Sequence, residues 1–186
     1  MNKFLIWIII NLLGIVAFAN ELQIFVPTTQ YRYENDKDQL VLNRKYQNYN
    51  LAAVIFNDYL VGVEFNHYKQ DSQSGSILIT EKFQEFNLYA GYYVFSKLLN
   101  NEYKIIFDLG PVAYIGQSRS TVETVIGSSS DLSVGENNMT FSAGGQATLR
   151  IAFMLIQPEI RYGYSRASSP NWVPMYGARV GFRIGL

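Results

Sequence analysis

Residues 176–186 read Tyr-Gly-Ala-Arg-Val-Gly-Phe-Arg-Ile-Gly-Leu, the clearest structural pattern in the chain. Every second side chain from Tyr176 to Leu186 is apolar, whereas the positions between them hold only glycine and arginine. A repeat of two residues predicts a β-strand with one apolar face and one polar face. The stretch is also long enough to cross a bilayer as a tilted strand.

The same alternation recurs toward the N-terminus. It is clear in residues 139–153, 158–165, 105–116, 86–95 and 59–66. Two earlier strands, 22–34 and 45–57, are predicted from spacing, because both of their faces mix polar and apolar residues. The alternation puts Phe95 on the polar face together with Asn87, and Pro111 predicts a bulge because it lacks a ladder donor.

The predicted connections alternate in length. Residues 57–58, 96–102 and 155–157 are short links, whereas 35–44, 69–76, 117–138 and 167–173 are longer and more polar. Alternating short and long links are typical of an up-and-down meander with two unlike ends. Bacterial outer-membrane barrels place short turns in the periplasm and long loops outside. The sequence therefore predicts about eight antiparallel strands, with both chain ends at the short-turn side.

Residues 1–19 have the organisation of a signal peptide. Lys3 precedes an apolar run over residues 4–16, and Ala17-Phe18-Ala19 fits a cleavage site. The alternative is an uncleaved anchor helix, for which the apolar run is short. We therefore expect an exported chain with one barrel domain over residues 20–186.

Composition excludes several classes of function. Fifteen basic and fifteen acidic residues give no net charge, which disfavours nucleic acid as a partner. The absence of cysteine excludes disulfides, thiolate metal sites and a lipidated cysteine. A single histidine leaves no metal site to predict, and no phosphate-binding glycine motif indicates a cofactor.

Alternation alone does not say which face points inward, but the glycines and arginines do. An arginine facing lipid at the bilayer midplane costs about 2–4 kcal/mol, whereas glycines inside a narrow barrel leave room for long side chains. Seven charged residues are thereby predicted to face the lumen: Glu64, Asp108, Arg150, Glu159, Arg161, Arg179 and Arg183. Since unpaired buried charges are costly, we expect a connected ion-pair network that plugs the lumen. An ion pathway is the functional alternative.

The chain resembles the small outer-membrane barrels of the OmpA-barrel and OmpX type. Val180, Phe182 and Ile184 fit the final strand of such barrels, although Leu186 stands where an aromatic residue is usual. The resemblance implies a bacterial outer-membrane location and a final strand read by the barrel-assembly machinery. It also implies contact with outer-membrane lipid and lipopolysaccharide, and a monomer.

Some barrels of this kind modify lipid A, so His67, Asp71 and Ser72 are candidates for an acyl-transfer site. Their spacing matches no motif of those enzymes, and we predict that the protein is not an enzyme. Several aromatic residues are expected to form an interfacial girdle: Tyr31, Tyr33, Tyr59, Tyr162, Tyr164, Trp172 and Tyr176.

The sequence thus favours a membrane barrel with a structural or surface-interaction role. Transport of small or apolar solutes and lipid A acyl modification remain the alternatives. No catalytic, cofactor-binding or metal-binding residue is predicted.

Overall fold

The computed structural model describes residues 19–36, 39–165 and 172–186, and these form eleven β-strands. The strands are β1 (Ala19–Phe25), β2 (Thr28–Asp36), β3 (Gln39–Ile55), β4 (Tyr59–Ser74), β5 (Ile77–Tyr92), β6 (Phe95–Asn100), β7 (Ile105–Ile126), β8 (Ser129–Val134), β9 (Asn138–Ile151), β10 (Met154–Ser165) and β11 (Trp172–Gly185). No helix within the described ranges is long and apolar enough to cross a membrane. Residues 1–18 of the predicted signal peptide lie outside these ranges.

The strands close into an antiparallel barrel. Three barrel strands are each split into two segments, β1 with β2, β5 with β6, and β8 with β9, so eleven segments make eight barrel strands. The ring closes because β1 and β2 both pair with β3 on one side and with β11 on the other. The predicted closed, eight-stranded, all-β barrel is confirmed.

The final strand shows how the two faces differ. Val180 is 38% exposed on the outside of the barrel and Phe182 is 44% exposed, whereas Arg179 is only 3% exposed and lies inside. The same separation holds in β9, where Phe141 is exposed and the adjacent Thr140 and Ser142 are buried. The outside of the wall is therefore apolar and the inside polar, as the alternation predicts.

A one-residue bulge interrupts the wall at Pro111. Gly91 pairs with Val112 and Phe95 pairs with Leu109, so three residues of the β5–β6 strand lie opposite two residues of β7. The predicted bulge is therefore present. Its extra residue reverses the alternation beyond it, and the prediction that Phe95 faces inward is wrong, because its side chain is 47% exposed on the outside.

Gly110 allows the close approach of backbones at this bulge. A Cβ atom on Gly110 would overlap the carbonyl of Tyr92, whereas a Cβ on Gly145 of the neighbouring strand would meet nothing within 4 Å. We therefore expect Gly110→Ala to lower the free energy of unfolding by about 1–3 kcal/mol. Urea unfolding in detergent micelles measures this, with Gly145→Ala as the matched control. Equal effects of the two substitutions would contradict the steric explanation.

Two of the three predicted short links are placed wrongly. The turn at residues 56–58 includes the predicted link 57–58, with Phe56 and Asn57 in the left-handed region. Residues 96–100 instead belong to β6, with the turn at 101–104, and residues 155–157 belong to β10, with the turn at 152–153. Residues 96–102 are largely polar and residues 155–157 form a short gap between two predicted strands, so both suggest turns. In the structure residues 96–100 pair with β7 and residues 155–157 pair with β11.

The predicted long loops are also largely strand. Two-residue turns at Gly75-Ser76 and Gly127-Ser128 replace the loops 69–76 and 117–138, with both glycines in the left-handed region at φ 60° and 59°. Residues 35–36 and 39–44 extend β2 and β3. Of the predicted loop 167–173, residues 172–173 belong to β11 and residues 167–171 lie outside the described ranges. Polar sequence rich in Ser and Thr resembles a loop. Strands that extend beyond the apolar belt can have such a sequence because they need no apolar face.

As a result, part of the sheet rises beyond the closed barrel. The pairing of β3 with β4 ends at Gln47 and His67, but β4 pairs with β5 as far as Ser74. β5 pairs with β7 as far as Ile126, and β7 pairs with β8. We call this four-stranded extension, residues 68–83 and 118–134, the protruding sheet.

Candidate functional site

Glu64 occupies the centre of the barrel interior. Arg161 Nη2 donates to Glu64 Oε1 at 2.7 Å, and Arg179 Nη2 donates to Glu64 Oε2 at 2.8 Å. Asn66 and Asn87 add amide donors to Oε1 at 2.8 and 3.1 Å. All five side chains are buried, so the two guanidinium groups neutralise a carboxylate that has no access to water.

Glu159 and Tyr114 extend this central cluster. The Glu159 carboxylate lies 2.8 Å from Arg179 Nη2 and 3.4 Å from Arg161 Nε. The Tyr114 hydroxyl donates to Glu159 and accepts a hydrogen bond from Arg179 at 2.8 Å. The Arg161 guanidinium stacks 4.0 Å above the Tyr114 ring centroid, a favourable cation–π geometry. Two acids thus face two bases within this cluster.

A second cluster lies near the chain ends. Arg150 Nε donates to Asp108 Oδ2 at 2.5 Å, and its Nη1 lies 3.5 Å from Glu21 Oε2. Arg183 Nη1 donates to the same Glu21 oxygen at 2.8 Å. Glu21 therefore links β1 to both β9 and β11, next to the position where the first and last strands close the ring. Two acids and two bases balance here as well.

The structure brings together all seven charged residues that the sequence places inside, in these two clusters. It adds two acids that the sequence reading missed, Glu21 and Glu85, which are 7% and 3% exposed. Glu85 accepts a hydrogen bond from Asn87 at 2.6 Å. Extending the alternation of Asn87 and Tyr89 by two residues would have found Glu85. Glu21 precedes the first predicted strand, so no pattern pointed to it.

Polar side chains fill the space around the charged clusters. Gln157 Nε2 donates to Thr148 and its Oε1 accepts from Arg179, both within 3.0 Å. The Tyr89 hydroxyl donates to Asn50 at 2.6 Å. One cavity beside Glu159 and Arg179, and another beside Glu85 and Thr140, each have a volume of about 10 Å³. A cavity of that size holds about one water molecule.

The candidate acyl-transfer residues do not form a site. His67 points outward and its ring stacks on Phe65 with centroids 6.5 Å apart. Asp71 accepts hydrogen bonds from Thr80 and Lys69 at 2.7 and 3.0 Å. The Ser72 hydroxyl donates to a backbone carbonyl 3.4 Å away, on the opposite face of β4 from His67. A serine nucleophile activated by histidine needs both groups within hydrogen-bond reach.

Within residues 19–36, 39–165 and 172–186, no group of three or more His, Asp or Glu side chains could hold a metal ion.

Three girdle residues, Tyr59, Tyr162 and Tyr176, are exposed on the outside of the wall, and Tyr164 is half-buried. The side chains of Tyr31, Tyr33 and Trp172 lie outside the described part of the structure.

The protruding sheet has two open edges within the described ranges. β8 pairs only with β7, and residues 68–74 of β4 pair only with β5. All six residues of β8 are exposed, among them Leu132 at 59% and Val134 at 46%. Unpaired backbone donors and acceptors along a strand edge are a template for adding another strand.

Comparison with known proteins shows the fold. No family model and no curated protein sequence matches this chain. Among solved structures, Ail, the attachment invasion locus protein of Yersinia pestis, has 16% identity and a TM-score of 0.60 over 89% of this chain and 99% of its own. The N-terminal β-barrel domain of Pseudomonas aeruginosa OprF has 12% identity and a TM-score of 0.54, over 89% and 98%. Neisserial surface protein A has 13% identity and a TM-score of 0.50, over 89% and 96%. The chain therefore has the fold of the small eight-stranded outer-membrane β-barrels.

Proposed function

We propose that the protein is an integral outer-membrane barrel with a plugged lumen, whose protruding sheet contacts a partner outside the cell. The membrane assignment is supported by the wall, where exposed apolar side chains such as Val180 and Phe182 surround buried arginines. That arrangement is the reverse of a soluble protein, in which apolar side chains are buried. It suits a barrel with hydrocarbon outside and polar groups inside. In this orientation the turns at residues 56–58, 101–104 and 152–153 face the periplasm, as do Ala19 and Leu186.

The charged clusters support a structural role for the lumen. Each pairs carboxylates with arginines and is packed among tyrosines and amides, and the central cluster adjoins cavities no larger than about one water molecule. Such packing favours a closed lumen over a diffusion path for solutes. No observation of comparable weight favours solute transport or lipid A modification.

The protruding sheet is the observation that carries the surface-interaction role. A solvated sheet with two unpaired edges exposes backbone groups that natural proteins usually cover or guard. Extended segments of other proteins bind such edges by strand addition, where backbone hydrogen bonds give affinity and neighbouring side chains give specificity. The six exposed residues of β8, which include Leu132 and Val134, offer this edge together with apolar contacts.

Shortening this hairpin tests the role. Gly135 N donates to Ser120 O at 2.9 Å, so an Asn-Gly turn can join these two residues in place of residues 121–134. We expect cells displaying the shortened protein to adhere to immobilised extracellular-matrix proteins no better than cells that lack it, whereas cells with the intact protein adhere. Unchanged adhesion would refute a role for the sheet.

The same experiment separates loss of the sheet from loss of the barrel. Closed barrels resist unfolding in mild detergent, so the unboiled protein should migrate differently from the boiled one on a gel. We expect this heat-dependent shift, and recovery in the outer-membrane fraction, for both the intact and the shortened protein. Replacing Ser76 with Asn in the other hairpin turn provides a control that leaves β7 and β8 untouched.

A further inference from the structure

Three neighbouring strands carry cations on the outside of the barrel, at the base of the protruding sheet. Lys69 of β4 lies directly opposite Lys82 of β5. In the next row toward the barrel, His67 lies opposite Gln84, and Gln84 lies opposite Arg119 of β7. Residues directly opposite in an antiparallel sheet share a face. We call these five residues, His67, Lys69, Lys82, Gln84 and Arg119, the basic rim patch.

The patch lies where the apolar belt ends. The row below it pairs Phe65 with Phe86, which are 36% and 39% exposed on the same outer face. Lys69 is the eleventh residue of β4, counted from Tyr59. A tilted strand needs about 9–11 residues to cross the hydrocarbon core. Lys69 and its neighbours therefore stand at the height of the lipid headgroups.

The charges of the patch are only partly compensated within the chain. Like charges directly opposite one another on a sheet are destabilising. Lys69 Nζ lies 3.0 Å from Asp71, and Lys82 Nζ lies 3.8 Å from Glu123, with both lysines about half exposed. The Thr80 hydroxyl, and then Lys69, hold the pKa of Asp71 below its usual value, so this carboxylate is ionised at neutral pH. Three cations thus face two carboxylates.

We propose that the basic rim patch binds the phosphate groups of an anionic lipid in the outer leaflet. Phosphate supplies the negative charge that the adjacent Lys69 and Lys82 lack, and Gln84 and His67 supply hydrogen-bonding groups beside it. On the other side of the barrel, the described outward positions of β10 and β11 hold aromatic, aliphatic, methionine and proline residues and no lysine or arginine. The lipid therefore binds at the β4–β5–β7 side of the barrel. This proposal rests on the proposed outer-membrane orientation.

Binding of bisphosphorylated lipid A to the full chain in neutral detergent micelles, followed by native mass spectrometry, tests the proposal. Each basic residue near an anionic lipid surface contributes on the order of 1 kcal/mol, so Lys69→Gln with Lys82→Gln should weaken binding about thirtyfold. The matched control replaces Lys97 and Lys104, two exposed lysines at the opposite end of the barrel, and should change nothing. Asp71→Asn with Glu123→Gln should tighten binding, because it frees the lysines from their intramolecular partners.

Several outcomes would overturn the proposal. The first is undiminished lipid A binding by the variant that replaces both Lys69 and Lys82. The second is equal binding of fully dephosphorylated lipid A. The third is saturation of the patch by inorganic phosphate at the concentrations at which lipid A binds. The heat-dependent gel shift, measured without lipid A, reports whether each variant still forms the barrel. If a lysine variant fails to fold, Arg119→Gln tests the same patch, since no ion pair of Arg119 is found among the described residues. An intact gel shift with no phosphate-dependent binding would reject the patch and leave the membrane barrel standing.

Discussion

Replacing Glu64 with leucine is expected to lower the free energy of unfolding by about 3–5 kcal/mol. The substitution removes the carboxylate that accepts hydrogen bonds from both Arg161 and Arg179, and it leaves two buried guanidinium groups that share Glu159 as their ion-pair partner. Removing one partner of a buried ion pair is strongly destabilising because the remaining charge stays desolvated. Urea unfolding of the barrel in lipid vesicles, followed by the heat-dependent gel shift, gives the free energy.

Two further variants show whether this loss arises from charge. Glu102→Gln, at an exposed turn residue, should leave the unfolding midpoint unchanged. Combining Glu64→Leu with Arg179→Leu should cost less than the sum of the single substitutions, since the second change removes a charge that the first left unpaired. Strict additivity would mean that Glu64 and Arg179 act independently, contrary to their 2.8 Å contact.

Val180→Arg is expected to be the most damaging change on the outside of the wall, at about 2–4 kcal/mol. Val180 projects outward from the final strand between Arg179 and Gly181, and the proposed orientation sets it in hydrocarbon. The control is Val134→Arg on the protruding sheet. The two valines are similarly exposed, at 38% and 46%, so a soluble protein would tolerate both substitutions about equally.

The free energy of unfolding of both arginine variants, measured in lipid vesicles and without lipid, shows whether the outside of the barrel faces lipid or water. If Val180 contacts lipid, its arginine variant should be destabilised and Val134→Arg should not. Comparable tolerance of both variants would argue that the outside of the barrel faces water. It would contradict the membrane assignment without affecting the observed fold.

The barrel itself could be predicted from the sequence because its physics is local. In residues 176–186 the apolar side chains lie outside, and the glycine and arginine positions lie inside. A shift of the strand register by one residue would reverse every position. The same pattern placed seven of the eight charged residues of the two interior clusters, all except Glu21. Which acid pairs with which base was not predictable, because Glu64 and Arg179 are 115 residues apart and only the closed ring brings them together.

The failures of the sequence reading also have physical causes. Phe95 was misplaced because the extra residue at the Pro111 bulge shifts the alternation, and a bulge position depends on both strands. The protruding sheet was missed because, apart from a few buried residues such as Tyr68 and Phe83, its side chains are exposed or half-buried and follow no apolar period. Glu21 was missed because it precedes the first predicted strand, which begins at residue 22.

The partners of Glu64 also constrain how the chain can fold. Its two guanidinium contacts come from residues 97 and 115 positions later, so neither exists until almost the entire chain has been supplied. Contacts between such distant residues are slow to form because a large loop must be ordered before they can contribute. We therefore expect late, concerted assembly. In any partly formed intermediate the Glu64 carboxylate lacks its two arginine partners, and the barrel remains open to water until β10 and β11 are added.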